Sequence, residues 1–293
     1  MKAKWLLILS AVLVLSCKKT GGEQEVPVTP VLPEEEQIPI NISTAVTKVT
    51  DTAFEKGDAV GLYVVNQPAE LAASGNHADN VKFTYDGDKW VAEKDLYWYD
   101  DKTPADFYAY YPYMESVDVE FCCFSVQQDQ STEAGYRASE LLFGKTLGIA
   151  PTPDPVLINT THLMSCLRVE LKAGTGWTDE DINASTVTLV GLKTAVKVDL
   201  KNIGIMADGE AVEITPLNLG AGIFKALVVP QSVNESDLIK IKVGNNDYTL
   251  KTSVNLVSGK QHKCTIVVNR TSEGINIGIN PWEDGDFYTG VVE

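Results

Sequence analysis

Histidine is scarce in this chain, three residues in 293, and cysteine is little commoner, at five. His77, His162 and His262 stand far apart and alone in their segments, which offers no paired imidazoles for a metal ion. Asp86-Gly87-Asp88 and Asp284-Gly285-Asp286 have the start of a calcium loop but not the further oxygen ligands at regular offsets. Also missing are a phosphate-cradling Gly-Lys-Ser loop, a dinucleotide glycine fingerprint, a serine between glycines at a strand-helix elbow, and His-Glu-x-x-His. These absences exclude the common enzyme classes: no catalytic residue, metal or cofactor is expected. Arginine is absent until Arg137, and no segment sustains a helical period.

What is abundant is negative charge. Twenty-four basic residues stand against 40 acidic ones, a formal net charge of −16. Loss of the first sixteen residues removes Lys2 and Lys4, leaving 22 against 40, or −18. Such a balance argues against nucleic acid as a partner. It suits an exported protein that repels its own copies.

The N-terminus reads as an address. Lys2 and Lys4 precede an apolar run from Trp5 to Leu15, too short to span a bilayer and the right length for a signal-peptide core. It ends in Leu13-Val14-Leu15-Ser16-Cys17, which resembles the lipobox of bacterial lipoproteins. That resemblance implies removal of residues 1–16 and a lipid on Cys17 that holds the protein to the outer membrane. Residues 17–37, rich in Gly, Glu, Pro and Thr, read as a flexible tether. The other cysteines, Cys122, Cys123, Cys166 and Cys264, allow three pairings; small buried hydrophobes are the preferred reading.

From Ile38 onward the pattern is that of short strands. Ile38, Ile40 and Ile42 alternate with Pro39, Asn41 and Ser43, with Val46 following, the period of a half-buried strand. Asp86-Gly87-Asp88-Lys89 and Gly244-Asn245-Asn246-Asp247 supply hairpin turns. Val117 to Val126 reads as a strand with Val119, Phe121 and Cys123 on one face, and Val196, Val198 and Leu200 alternate with charged residues. Thr178 could cap a single helical turn. Three prolines within 149–155 exclude a central strand and suggest a domain boundary. The expectation is an all-β protein of two antiparallel β-sandwich domains, 38–155 and 156–293.

The aromatic cluster, Tyr97-Trp98-Tyr99 and then Phe107 to Tyr113, admits two uses. Alternation along strands puts Trp98 opposite Tyr97 and Tyr99, so about half of these rings belong to the core. The others, with Trp98 and Tyr110 the candidates, could stack on sugar rings. A surface glycan-binding lipoprotein that never polymerises is the alternative reading.

The order of these segments resembles the fimbrillins, the Mfa-like pilus lipoproteins of Bacteroidetes. The resemblance rests on the lipobox, TAFEKGDAVGLYVV (52–65), DLYWYDD (95–101), DFYAYYPY (106–113), ASELLFG (138–144), THLMSCLRVEL (161–171), FKALVVPQ (224–231), SGKQHKCTIVV (258–268) and INPW (279–282). It implies two transthyretin-like domains in a subunit of a surface fimbria with an adhesive role. It also implies assembly with other pilus subunits: a protease cuts behind the first strand, usually after arginine, and a neighbour's strand fills the groove. Here the matching basic residue is Lys48, the family's arginine being absent, and the displaceable strand would carry Ile38, Ile40, Ile42 and Val46. Only eleven residues follow Trp282, short for a donated strand, which points to a tip or accessory subunit.

Overall fold

The computed structural model describes residues 37–46 and 54–270, with the backbone of 277–283 and 287–292. The signal peptide, Cys17, nearly all of the tether and Lys48 lie outside the described residues. In chain order the elements begin β1 (Ile42–Val46), β2 (Ala59–Asn66), β3 (Ala78–Tyr85), β4 (Trp90–Ala92), β5 (Ala105–Tyr111) and β6 (Cys122–Ser125). A short helix α1 (Glu133–Arg137) precedes β7 (Leu142–Ile149), β8 (Val156–His162) and β9 (Ser165–Ala173). Helix α2 (Asp179–Asn183) then leads to β10 (Thr186–Asp199), β11 (Gly204–Ile214), β12 (Leu217–Gly220) and β13 (Ile223–Val228). The chain continues through β14 (Gln231–Val243), β15 (Asn246–Leu256), β16 (Gln261–Val268), β17 (Ile277–Glu283) and β18 (Phe287–Val292).

These strands form three sheets. The first has seven strands in the order β1-β8-β7-β5-β2-β3-β4. The second runs β11-β10-β14-β15, with β6 also on β10, and the third runs β12-β13-β9-β16-β18-β17. The fold class is all-β, as expected. Alternation carries no information on strand direction, and three pairings are parallel: β1 on β8, β9 on β16 and β16 on β18. The proline-rich stretch joins β7 to β8 within the first sheet.

The first sheet is apolar on both faces. Val60, Leu62, Phe83 and Phe107 line its inner face, while Tyr63, Val65, Tyr110 and Phe143 join the core shared with the second and third sheets. That is why the apolar run from Val60 to Val65 shows no alternation: six consecutive residues are buried. Gly144 leaves no room for a side chain between β7 and β8, for a Cβ there would lie 2.5 Å from the Asn159 carbonyl oxygen.

Local chemistry sets the turns. Gly87 has φ +108°, and the Asp86 carboxylate accepts from the backbone N–H groups of Asp88 and Lys89, both at 2.9 Å. Those two bonds hold the Asp86 carboxyl below its usual pKa. Thr178 caps α2 in a capping box with Asp181. The expected strand from Val117 to Val126 shortens to β6, because Asp118 Oδ1 accepts from the N–H groups of Glu120 and Phe121 and bends the chain. The register therefore flips: Val119 and Cys122 are buried, whereas Phe121 and Cys123 face solvent.

Candidate functional site: the first strand and its seat

Residues 38–46 form a single extended stave that closes the first sheet. Ile40 and Ile42 point inward, each only 4% exposed, while Pro39, Asn41 and Ala45 face water. Ile38 packs partly buried against the same cluster. The alternation read from the sequence thus places three isoleucines on the core face. Val46 ends β1 opposite Thr160.

The stave is held by two different neighbours. Along β1 the pairing is parallel to β8, with Ile42 beside Val156 and Thr44 beside Ile158, and the Val156 N–H donates to the Asn41 carbonyl at 2.8 Å. Ahead of β1, Ile40 N–H donates to Leu96 O at 2.8 Å and Trp98 N–H to Ile38 O at 2.9 Å, an antiparallel contact centred on Pro39 and Tyr97. The opposite edge strand, β4, reaches across as well: the Trp90 indole N–H donates to Thr44 Oγ1 at 3.0 Å. The sheet curls until its two edges meet, and residues 38–46 fill the seam.

The far side of the undescribed stretch 47–53 is pinned at the same place. Phe54 stands edge-on to Trp90 at 4.9 Å between ring centroids and to Tyr111 at 5.6 Å. Arg137, in the last turn of α1, donates to Glu55 Oε1 and Asp58 Oδ2, each at 2.9 Å. Asp58 also accepts from the Tyr111 hydroxyl at 3.1 Å. Burial, with the Asp58 charge adding to it, pushes the Tyr111 phenol up to about 12. Neither Trp90 nor Thr44 stood out in the sequence, and Arg137 did so only as the first arginine of the chain. A tryptophan just after a hairpin turn was the only available signal for Trp90.

The aromatic candidates lie in the core. Trp98 is 6% exposed, packs against Phe107 at 5.4 Å and donates its indole N–H to Thr152 O at 3.0 Å. Tyr110 is 1% exposed, its hydroxyl donating to Asn80 Oδ1 at 2.7 Å and standing 3.0 Å from Met114 O. Neither ring offers a face to a sugar. Tyr97 and Tyr99 point outward, as the alternation requires, with Tyr99 67% exposed.

The histidines serve structure in three separate places. His77 Nε2–H donates to Tyr97 O at 2.7 Å, His162 Nδ1 stands 2.9 Å from Glu140 Oε2, and His262 Nε2 accepts from the Val257 N–H at 3.0 Å. Among the described residues no group of His, Cys, Asp or Glu is placed to hold a metal ion. Cys122, Cys123, Cys166 and Cys264 are all free thiols.

A family model described as fimbrillin-like matches residues 47–282, starting directly after the first strand. The chain belongs to the fimbrillin-like family. This fimbrillin is 24% identical over 298 aligned residues, 95% of its own length and 94% of the relative's, to a Bacteroides uniformis protein provisionally named fimbrium subunit Fim1C. A shorter match, 31% identical over 103 residues, covers 28% of this chain and 18% of a Bacteroides ovatus protein provisionally named fimbrium tip subunit Fim1C. In fold it is similar to the crystal structure of a provisionally named cell adhesion protein from Bacteroides uniformis, with TM-score 0.66 and 22% identity. That likeness covers 89% of this chain and 99% of the other.

Proposed function

We propose that this fimbrillin is a structural subunit of a surface fimbria, carried to the outer membrane by lipid on Cys17 and matured by a cut after Lys48. Residues 38–46 then act as a temporary occupant of a groove that a strand of the next subunit takes over. The observation that carries this reading is the position of the stave: an edge strand, paired along β1 on one side only, with Ile40 and Ile42 buried in the core. Burial of Ile40 and Ile42 at about 1.5–3 kcal/mol each, with a smaller share from the partly buried Ile38, is worth roughly 4–8 kcal/mol. That approaches the whole stability of an ordinary domain, about 5–15 kcal/mol. A groove emptied of the stave must be refilled, and strand addition refills it.

The clamp around Phe54, Asp58 and Arg137 supports the same division. It keeps the chain beyond the cut in place while the stave leaves. A tip or accessory role is favoured because β18 lies between β16 and β17 in its own sheet and is not free to be donated. The name of the Bacteroides ovatus relative points the same way. Under a division into domains 38–155 and 156–293, β8 is a strand that the second half lends to the sheet of the first.

Mass spectrometry of the protein recovered from assembled surface fibres tests the maturation. The expected N-terminal peptide begins at Val49. Assembled protein that still begins at lipidated Cys17 would refute removal of the strand.

A further inference from the structure

The stave is held by backbone pairing, by apolar side chains and, on its outer face, by a bond from Asn41 Nδ2–H to Pro153 O at 3.4 Å, none of which tests what enters the groove at its fourth inward position. One contact is different. Trp90 is buried between Phe54 and Tyr85, and its indole N–H has a side-chain acceptor from the stave, Thr44 Oγ1 at 3.0 Å. Thr44 is the fourth inward position, after Ile38, Ile40 and Ile42, and stands beside Ile158 in the register on β8. When the stave leaves, this donor loses its acceptor. A buried N–H without a partner is costly, and an aliphatic side chain at that position would seal it from water without accepting its proton.

We propose that Trp90 is a specificity-determining residue of the groove. It selects a replacing strand with a hydroxyl or amide side chain six residues after the first of three alternating aliphatic ones. The partner is thus defined chemically as an extended segment of another subunit, parallel to β8, with pattern aliphatic-x-aliphatic-x-aliphatic-x-Ser, Thr or Asn. The inference rests on the strand-exchange reading above and adds to it a rule about which strands fit. Apolar burial supplies most of the affinity. The indole N–H supplies the choice of register, because a slip by two residues puts an aliphatic group against it.

The test uses the full chain cut after Lys48, with fluorescent peptides of sequence 38–46 in excess and binding read by polarisation. The native peptide is compared with one carrying Thr44→Val, which keeps shape and removes the hydroxyl, and one carrying Ile42→Asp. The expected result is that the native peptide binds roughly tenfold tighter than the Thr44→Val peptide, with no binding of the Ile42→Asp peptide. In protein carrying Trp90→Phe, which keeps an aromatic ring against Phe54 and Tyr85, that preference falls to about onefold. Equal binding of the native and Thr44→Val peptides to the unaltered protein, with Ile42→Asp still excluded, would overturn the role of Trp90 and leave strand exchange standing. Failure of every peptide, the native one included, would overturn both. The peptide comparison on unaltered protein decides the matter even if Trp90→Phe fails to fold.

Discussion

The first and last strands of the described chain make the instructive contrast. Strand β1 lies at the edge of its sheet with one neighbour, β8, whereas β18 lies inside its sheet with β16 on one side and β17 on the other. The edge strand β17 carries Pro281, which cannot donate to a ladder and suits the outside of a sheet. Both strands are short, five residues against six. What separates them is how many ladders must break for each to leave. An edge strand that also fills a core is held chiefly by its side chains, which is the property the proposed exchange would use.

The contrast can be broken by attacking those side chains. Ile42→Asp puts a charge in the inner face of the first sheet, and a loss of about 3–5 kcal/mol is expected in urea denaturation, the largest effect of the set. An unchanged midpoint would mean that the core is closed without the stave. Gly144→Val strikes the sheet behind it, where the added side chain meets the Asn159 carbonyl, at an expected cost of about 1–3 kcal/mol. A smaller effect is expected at the clamp. Arg137→Ala should leave the Asp58 carboxylate to the Tyr111 hydroxyl and the Glu55 N–H and lower stability by roughly 0.5–1.5 kcal/mol, with faster proteolysis at residues 54–58 as the local readout.

Alkaline titration probes both faces of the first sheet and the core beyond it. Burial pushes the thiols of Cys122 and Cys166 up to about 11 and that of Cys264 to about 12, and the phenols of Tyr63 and Tyr111 to about 12. In the unfolded chain these groups ionise near 9.0 and 10.0, so above about pH 9 the unfolded state gives up protons that the folded state keeps. Stability is therefore complete below pH 9 and falls as pH rises towards 11 to 12. A flat profile from pH 8 to 11 in thermal denaturation would contradict the burial of these groups.

Much of the stave was legible in the sequence, and its seat was not. Alternation at Ile38, Ile40 and Ile42 is a property of neighbours in the chain, as is the Asp86-Gly87 turn. The same logic placed Trp98 opposite Tyr97 and Tyr99, and Val196, Val198 and Leu200 on one buried face. It failed at Phe121 because one Asp118 side chain bends the backbone and shifts the phase. The partnership of Thr44 with Trp90, and of Arg137 with Asp58, joins segments distant in sequence, and a single chain carries no periodic mark of such contacts. Parallel pairing of β1 with β8 was hidden for the same reason. The second aromatic candidate, Tyr110, was misplaced because its inward hydroxyl finds Asn80 and Met114, polar partners that no pattern announces.

The most direct measurement of the central claim is the mass of the purified full-length protein before and after a single cut at Lys48. The account predicts that the uncut protein stays monomeric, and that the cut protein, mixed with a strand-donating pilus subunit, releases the fragment ending at Lys48 and gains that subunit's mass. A cut protein that remains a stable monomer, after the fragment has gone, would contradict it.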